Sequence, residues 1–359
     1  MNNIIAFNVS SPSDIALQIA ARVKVRRLEL DLTQEGLAAR AGVKFATYRR
    51  FEQTGEISLR GLLQVGFALN ALSDFDALFA QKQYQSIYDN RLVGRLALTK
   101  ESLCAFEYSA EWLNSGFSIS PFELPLRSGV FIAKPRPFDG GFGVFDDCLP
   151  DGWGLLILDR YLQRNGVNPR TLSLLDRLAL VGSTGRGALE FRPDKSVVSK
   201  QEYADFEKLA LEAEQILDSD NYNGEGIEEF QYRGGSPGGA RPKIFTRYDG
   251  KEWLVKFRAK RDSKHIGEDE YRYSLLAKEC GIEMPKTRLF EDKYFGVERF
   301  DRTSNGKLHV VSIAGLIGAD YRLPSIDYTH IFQVCATLTH SVAEMWKVYR
   351  LMVFNYLID

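Results

Sequence analysis

Hydrophobic positions recur at helical spacing through residues 14–79, in short segments that Gly or polar turns separate. From residue 84 onward the pattern changes to short alternating runs, which are typical of β-strands. These runs are RLVGRLALT (91–99), FEYSAEWL (106–113) and GVFIAK (129–134). Helical periodicity returns at 152–164, 171–181, 268–280 and 326–358. The mixture predicts a multidomain α+β protein that begins with an all-α domain.

Two further strand candidates, ARPKIFTRYD and EWLVKFRAK, flank the pair Asp249-Gly250. An Asp-Gly pair between two strand-like runs is a strong β-hairpin signal, because both residues tolerate a positive φ. Shorter strands are expected near 286–290 and 294–300. The changes of pattern place domain boundaries near residues 82 and 135, which gives domains 1–82, 83–135 and 136–359.

Composition excludes several classes of protein. A chain of 359 residues that is 45% hydrophobic and 26% charged has enough apolar material for packed cores, so a disordered chain is excluded. No apolar run approaches the ~18–20 residues of a membrane span, and no signal peptide opens the chain, so we expect a cytoplasmic protein without a membrane partner. The four Cys and four His residues show no ligand spacing, so no metal site built from them is expected.

The net charge of −1 indicates no partner, but the charge is segregated along the chain. Residues 22–50 carry eight basic and three acidic side chains, and residues 233–264 carry ten basic and three acidic ones. Such runs are most often solvated surface. Both of these runs coincide with a motif-like spacing.

The first basic run contains LTQEGLAARAGVKFATYRRFEQ (32–53), which fits two short helices joined at Gly42, with Thr33 as an N-cap. A tight turn between two helices is the arrangement that presents a second helix to a DNA major groove. Residues 13–80 resemble the Xre/Cro-type helix-turn-helix family, which includes the antitoxins of toxin–antitoxin pairs. The alternative is a helix bundle that serves only dimerisation.

The helix-turn-helix resemblance implies a DNA-binding role for five residues. Gln34 is expected to reach a phosphate or a base edge, and Lys44, Phe45 and Arg49 are expected to face the groove. Arg50 is expected to pair with phosphate or with Glu52. Because a single module binds specific DNA weakly, the expected partner is a palindromic operator bound by a homodimer.

The second basic run contains the Gly-rich segment GGSPGGARPKIF (234–245). Its glycines allow backbone N–H groups to converge on one point, which suits phosphate, and Arg241 and Lys243 add positive charge. A Gly-rich turn alone is weak support for a phosphate site, and the Walker A pattern GxxxxGK[ST] is absent.

Lys256 lies on the following strand, and the next helix offers three carboxylates, Glu268, Asp269 and Glu270. A strand lysine that pairs with a helix carboxylate and contacts nucleotide phosphates is characteristic of kinases. The segment FGVERFDR (295–302) then suggests a strand beside a nucleotide, with backbone groups of Glu298–Phe300 at an adenine edge. Lys256 alone would be interpreted as a surface lysine, but the ordered set favours the kinase interpretation.

From about residue 84 the chain resembles the HipA family of serine/threonine kinase toxins. The motifs that carry the resemblance are EYSAEWL (107–113), FDDCLPDG (145–152), LLDRLALVGSTGRGAL (174–189), GGARPK (238–243), DEYRYSLLAKECGI (269–282) and VERFDR (297–302). The resemblance implies a small β-rich N-terminal subdomain on a two-lobed kinase-like body with a helical C-terminal lobe. The whole chain would then be a HipA-like kinase fused to a HipB-like antitoxin domain.

The HipA resemblance also implies roles for individual residues. Ser236 would be the loop serine that such kinases autophosphorylate, Lys256 the phosphate-binding lysine and Glu270 its partner. The residues implied to contact ATP are Gly238, Gly239, Ala240, Arg241, Pro242, Lys243, Lys256, Glu270, Glu298, Arg299 and Phe300. In CLPDG (148–152), Asp151 is expected to cap the following helix. The cofactors would be ATP and Mg²⁺, and the protein substrate a translation factor such as an aminoacyl-tRNA synthetase.

The pattern of the family breaks off at the end of the sequence. Family members follow a helix like YRLMVFNYLI with a loop bearing DxHxKN, which supplies the catalytic base and a metal ligand, and the sequence ends at Asp359, where that loop is expected. The 359-residue chain is therefore expected to lack activity, as a shortened kinase, as a degenerate homologue or as part of a split gene product. The competing function is a catalytically inactive, autoregulatory transcription factor.

Overall fold

A computed structural model describes residues 12–76, 78, 84–197, 204–219, 222, 224, 226–234 and 238–358. It divides the chain into two compact units, Met1–Lys82 and Gln83–Asp359. We call them the helical unit and the main unit.

The helical unit contains the helices that the periodicity predicts. They are α1 (Pro12–Glu29), α2 (Gln34–Ala41), α3 (Phe45–Thr54) and α4 (Leu59–Ala68), followed by a 3₁₀ turn at Leu72–Phe75. Thr33 caps α2 as predicted, since its hydroxyl accepts a hydrogen bond from the Gly36 N–H at 3.0 Å. Gly42 ends the same helix with a left-handed φ of 66°, which glycine adopts without steric cost.

The core of the helical unit is small and well buried. The side chains that fill it come from all four helices and are at most 7% exposed: Ala20, Leu37, Ala38, Ala41, Tyr48, Phe51 and Val65, with Leu69 just beyond α4. Burial of this apolar surface is the main force that holds α2 and α3 against each other.

The main unit begins with an antiparallel sheet. Its strands are β1 (Tyr84–Tyr88), β2 (Arg91–Leu98), β3 (Cys104–Tyr108), β4 (Val130–Ile132) and β5 (Leu189–Arg192), in the order β4-β3-β2-β1-β5. The predicted strand at 106–113 is only half correct. Ser109 accepts a hydrogen bond from the Trp112 N–H at 3.0 Å and thereby starts a helix, α5 (Ala110–Ser115), because a capped turn here buries Trp112.

The predicted boundary at residue 135 falls inside this sheet. Strand β5 lies more than fifty residues beyond the boundary and pairs with β1. Phe145 and Phe191, which follow the boundary, share one core with Phe106. Strand pairing between distant residues leaves no composition change to detect, and the local pattern therefore placed the boundary too early.

Three helices lie between β4 and β5. They are α6 (Gly143–Asp146), α7 (Gly152–Arg164) and α8 (Leu174–Val181). The last two match the helices predicted at 152–164 and 171–181, with α8 starting three residues later, where Ser173 and Asp176 form a capping box.

A second antiparallel sheet follows, in the order β6-β7-β9-β8. Its strands are β6 (Lys243–Tyr248), β7 (Lys251–Lys256), β8 (Thr287–Phe290) and β9 (Tyr294–Glu298). The same part of the chain forms three helices, α9 (Phe206–Asp218), α10 (Gly226–Gly234) and α11 (Ile266–Glu279), of which α9 and α10 pack against the sheet. The predicted hairpin is confirmed, with φ of 50° at Asp249 and 69° at Gly250.

The remainder of the main unit is mainly helical, as predicted. It comprises β10 (Arg302–Thr303), β11 (Gly306–Lys307), α12 (Ile313–Ile317), α13 (Tyr328–Thr339) and α14 (Val342–Ile358). None of the helices in the described ranges is both long enough and apolar enough to cross a membrane.

Candidate nucleotide-binding site

Lys256 and Glu270 form an ion pair between the end of β7 and the start of α11. The Lys256 ammonium lies 2.9 Å from Glu270 Oε2. Of the three carboxylates that the sequence offered, the structure therefore brings Glu270 to the lysine, while Glu268 contacts His265 and Arg272. The Lys256 side chain keeps 33% of its surface exposed, and its ammonium also lies 5.2 Å from the centre of the Phe295 ring.

Arg241 shares the same carboxylate. Its Nη1 lies 2.9 Å from Glu270 Oε1, and its Nε lies 3.0 Å from Asp262. Arg241 thus links the end of the Gly-rich segment to α11. The sequence does not predict this role for Asp262, since none of its neighbours in sequence distinguishes it from a surface aspartate.

Lys243 stands directly across the β6–β7 ladder from Lys256. It is only 5% exposed, and burial together with the neighbouring Lys256 ammonium lowers the pKa of Lys243 to about 8. Its ammonium donates a hydrogen bond to the carbonyl oxygen of Gly238. The two lysines are paired across the ladder and carry like charges, so they repel each other. An anion placed between the two ammonium groups would relieve that repulsion.

The Gly-rich segment lies against the start of α7. Gly239, with a φ of 95°, donates its N–H to Asp151 Oδ1 at 2.5 Å and accepts a hydrogen bond from the Trp153 N–H at 3.1 Å. Asp151 does occupy the N-cap position of α7, but its side chain makes no capping bond. The predicted capping role of Asp151 is therefore wrong, because the carboxylate is used by the loop instead.

The next residues of the segment continue into the sheet. Ala240 is exposed, and the Pro242 carbonyl oxygen accepts a hydrogen bond from the Phe257 N–H at 2.8 Å. That bond extends the β6–β7 pairing by one step and fixes where Lys243 begins the strand. Ser236 lies outside the described residues.

The segment expected at the adenine edge is largely used by the protein itself. The Glu298 N–H donates to the Lys286 carbonyl, and the Arg299 N–H donates to the Glu252 carbonyl, both at 2.8 Å. The Arg299 guanidinium is buried and bonds Asp301. These contacts contradict a nucleotide contact through the Arg299 side chain or either N–H. Phe300, whose side chain is 61% exposed, is the residue of this segment that presents surface to a ligand.

Two cavities lie beside these groups. One, of about 390 Å³, is lined by Arg241, Lys256, Glu270 and Phe295, among others. The other, of about 770 Å³, is lined by Asp151, Gly239 and Ala240 together with polar side chains of the first half of the unit. Both volumes are in the range of small-molecule sites, and the Gly-rich segment contributes to the walls of both.

The groups present fit a nucleotide phosphate better than they fit a metal ion. Loop amides and two lysines are the donors that phosphates prefer. Across the residues that the structure describes, no group of three or more His, Cys, Asp or Glu side chains is arranged to hold a metal ion. These donors suit the phosphates of a nucleotide such as ATP, and Mg²⁺, which usually takes one or two protein carboxylates beside phosphate oxygens, does not need such a group of three.

In the helical unit, the residues expected to contact DNA fall into two sets. Lys44, Phe45 and Arg49 lie exposed at the start and along one side of α3. The Gln34 amide instead donates to Glu52 Oε2 at 2.6 Å. Arg50 pairs with Glu56 and not with Glu52, because Arg27 occupies Glu52.

Comparison with known families identifies two domains in the main unit. The HipA N-terminal domain family matches residues 85–192, and the HipA-like C-terminal domain family matches residues 235–359. The chain carries both HipA domains. The first match includes β5, in keeping with the sheet that the structure shows.

The chain is also similar to two known proteins. Over 249 residues the chain is 25% identical to the protein named "Putative kinase Y4dM" of Sinorhizobium fredii (strain NBRC 101917 / NGR234), a match of 64% of this chain and 58% of that protein. The chain thus spans less than two thirds of that relative. It also superimposes on a chain of the HipA, HipB and operator DNA complex of the Shewanella oneidensis MR-1 toxin–antitoxin system, with a TM-score of 0.54 and 20% identity, covering 76% of this chain and 68% of that one. That likeness shows a HipA-like fold.

Proposed function

We propose that the protein is an ATP-dependent serine/threonine kinase of the HipA-like toxin family. The observation that carries the proposal is the Lys256–Glu270 ion pair, at 2.9 Å, beside Lys243 and the Gly-rich segment. A strand lysine oriented by a helix carboxylate next to a glycine loop is the arrangement with which kinases hold nucleotide phosphates.

Each group has a distinct task in this proposal. Glu270 holds the Lys256 ammonium toward the phosphates, and Arg241 fixes Glu270 from the other side. The backbone N–H groups of Gly238–Arg241 and the Lys243 ammonium bind phosphate oxygens. Phe300 covers the adenine, and Mg²⁺ would neutralise phosphate charge when the nucleotide is bound.

The family resemblance adds regulation and a substrate to the proposal. Phosphorylation of Ser236 would add roughly −2 charge next to basic residues and would displace the loop from the nucleotide site. The protein substrate that the resemblance implies is a translation factor such as an aminoacyl-tRNA synthetase.

Nucleotide titration tests the site directly. Lys256→Met should weaken ATP binding by roughly 30-fold or more, since it removes a charged phosphate contact. Lys260→Met is the matched control, because Lys260 is 73% exposed and pairs only with the surface residue Asp218 in its described contacts. Equal affinities of the two variants would refute the assignment of Lys256.

Transfer of phosphate is tested separately with labelled ATP and Mg²⁺ in a protein that also carries a DxHxKN loop, because the 359 residues contain no such motif and are expected to be inactive without it. A kinase should label itself, and Ser236→Ala should abolish the label. ATP binding without any transfer would favour the alternative function, a HipA-like regulator without catalysis.

We further propose that the helical unit binds operator DNA at the promoter of its own gene. The supporting observation is the exposure of Lys44, Phe45 and Arg49 on α3, which a glycine turn joins to α2. The similar Shewanella structure contains HipB and operator DNA, so a HipB-like role is a reasonable expectation for this unit. Dimeric binding to a palindrome would give the affinity that one module lacks.

A binding assay at several salt concentrations tests the DNA proposal. Replacing both Lys44 and Arg49 with Ala should weaken operator binding and reduce the preference for operator over unrelated DNA at every salt concentration, because both side chains face the groove. The matched control replaces Arg22 and Lys24 with Ala, which removes the same charge from exposed positions of α1. An equal loss in both variants would show that only net charge matters and would refute the recognition role of α3.

A further inference from the structure

Asp151 holds a backbone amide that a nucleotide phosphate is proposed to use. Its Oδ1 accepts the Gly239 N–H at 2.5 Å, across 88 positions of sequence. Hydrogen bonds from an amide to a carboxylate are among the stronger ones in proteins. The contact is therefore a specific attachment of the Gly-rich segment to the start of α7.

The backbone around Asp151 is shaped for this attachment. Gly152 has a φ of 44°, and a Cβ at this position would lie 2.7 Å from the Gly239 carbonyl oxygen. Only glycine allows so close an approach. The Trp153 N–H then donates to that same carbonyl oxygen at 3.1 Å, so that both the N–H and the C=O of Gly239 are hydrogen-bonded.

Lys243 also holds the Gly-rich segment. Its ammonium donates to the Gly238 carbonyl oxygen. One acidic and one basic side chain thus hold adjacent residues of the loop, and they leave the Gly239 N–H directed at a carboxylate.

We propose that Asp151 is a built-in competitor of the nucleotide, which occupies the Gly239 amide until a phosphate displaces it. The proposal rests on the proposed function, in which the Gly238–Lys243 segment binds phosphate. A carboxylate and a phosphate oxygen are alternative acceptors for one N–H, and the two negative charges repel each other at contact distance. Nucleotide binding must therefore break the Asp151 contact, and the cost of breaking it lowers the affinity.

Asp151→Asn tests the competition with little change of shape. The variant keeps an acceptor oxygen but removes the charge, so ADP should bind roughly tenfold more tightly, both in EDTA and in Mg²⁺. Asp159→Asn is the matched control, since Asp159 lines the same cavity but pairs with Arg177. It should change the affinity by no more than about twofold.

A second variant guards against a folding defect. Asp151→Ser also removes the charge and places a hydroxyl at the N-cap position of α7, so it should tighten ADP binding as well. Unchanged or weaker binding by both folded variants, in either EDTA or Mg²⁺, would overturn the proposal. Weakening confined to Mg²⁺ would identify Asp151 as a metal ligand instead.

Amide exchange separates this proposal from the proposed function. In the free protein the Gly239 amide should exchange slowly, and Asp151→Ser should speed its exchange at least tenfold. If neither wild type nor variant binds ADP, the nucleotide site itself is refuted and the competition with it, whatever the exchange shows. If wild type binds ADP and the variants bind it with the same affinity as wild type, only the competition is refuted.

Discussion

Two groups of charged side chains in the second half of the main unit differ in how much of their hydrogen-bonding capacity other protein groups use. The first, which we call the closed network, consists of Arg299, Asp301, Arg302 and Glu252. The second, which we call the open cluster, consists of Lys256, Glu270 and Arg241. The Arg299 and Asp301 side chains are 6% and 8% exposed, whereas those of Lys256 and Arg241 are 33% and 43% exposed.

At the buried centre of the closed network, Arg299 and Asp301 bind each other and neighbouring groups. Asp301 accepts hydrogen bonds from Arg299, from Arg302 and from the Gly187 N–H, the last at 2.8 Å. Burial raises the pKa of Asp301, but the hydrogen bonds and charges of the two arginines outweigh it and hold that pKa below its usual range.

The open cluster retains bonding capacity. Among the described residues, one carboxylate, that of Glu270, contacts the Lys256 ammonium, and a third of the Lys256 side chain is exposed to solvent. A partly exposed cation that is held in place and still has free hydrogen-bond donors can bind an anion. A buried cation whose donors are all used by protein groups can only stabilise the fold. The comparison explains why the VERFDR motif is structural at Arg299 and Asp301 even though it borders the proposed nucleotide site.

The largest effect is expected from Asp301→Ala. The change removes the carboxylate shared by Arg299, Arg302 and the Gly187 N–H and breaks a largely buried ion pair, which should cost about 3–5 kcal/mol of the free energy of unfolding. Denaturant titration measures the loss. Asp218→Ala, which removes an exposed partner of Lys260, is the control and should cost less than about 1 kcal/mol. A loss below about 1 kcal/mol for Asp301→Ala would contradict the distinction between closed and open groups.

The helical unit offers an independent closed network around Glu52. Its carboxylate accepts hydrogen bonds from Arg27 at 2.7 Å and from Gln34 and Tyr48, both at 2.6 Å. Burial pushes the pKa of Glu52 up, but these hydrogen bonds outweigh it and lower the pKa. Glu52→Gln should therefore destabilise the unit by about 2 kcal/mol, as judged by amide exchange in α2 and α3.

The lowered pKa of Glu52 also fixes the sign of a pH effect. A depressed carboxyl pKa contributes stability above the unfolded value, about 4.3, and that stability is lost as the pH falls through the folded pKa. Wild type should lose stability in this window, and Glu52→Gln should lose less. Equal acid sensitivity of the two proteins would show that Glu52 is not the group responsible.

Local features of the fold were well predicted from sequence. Helix α7 and the hairpin at Asp249-Gly250 follow from periodicity and turn chemistry, which depend on neighbouring residues. The Lys256–Glu270 pair was anticipated only through the HipA resemblance, since the residues alone left Glu268, Asp269 and Glu270 as equal candidates.

Long-range contacts were not predictable in the same way. Asp151 was expected to cap a helix, since nothing near it in sequence reveals Gly239. Arg299 was assigned to the nucleotide, since nothing near it in sequence reveals the hydrogen bond that its guanidinium donates to the Gly185 carbonyl oxygen, 114 positions away. Both side chains satisfy a local rule in the sequence, and a distant partner supersedes it in the fold.

Glu270→Gln tests the open cluster and should affect function more than stability. The change removes the charge that holds Lys256 and Arg241, so ADP affinity should fall roughly tenfold while the free energy of unfolding changes by at most about 1 kcal/mol. Glu268→Gln, two positions earlier on α11, is the control and should leave affinity within about twofold. A loss of stability as large as that of Asp301→Ala would place Glu270 among the closed networks.

The smallest effect is expected for the pair formed by Arg50 and Glu56. Their side chains are 67% and 62% exposed, although they are in direct contact. Water screens such a pair, and two long side chains lose rotamer freedom to form it, so its coupling energy should be about 0.5 kcal/mol or less. A double-mutant cycle with Arg50→Ala and Glu56→Ala measures that coupling free of other effects of either change. A coupling above about 1.5 kcal/mol would mean that contact geometry, and not exposure, separates the closed networks from the open cluster.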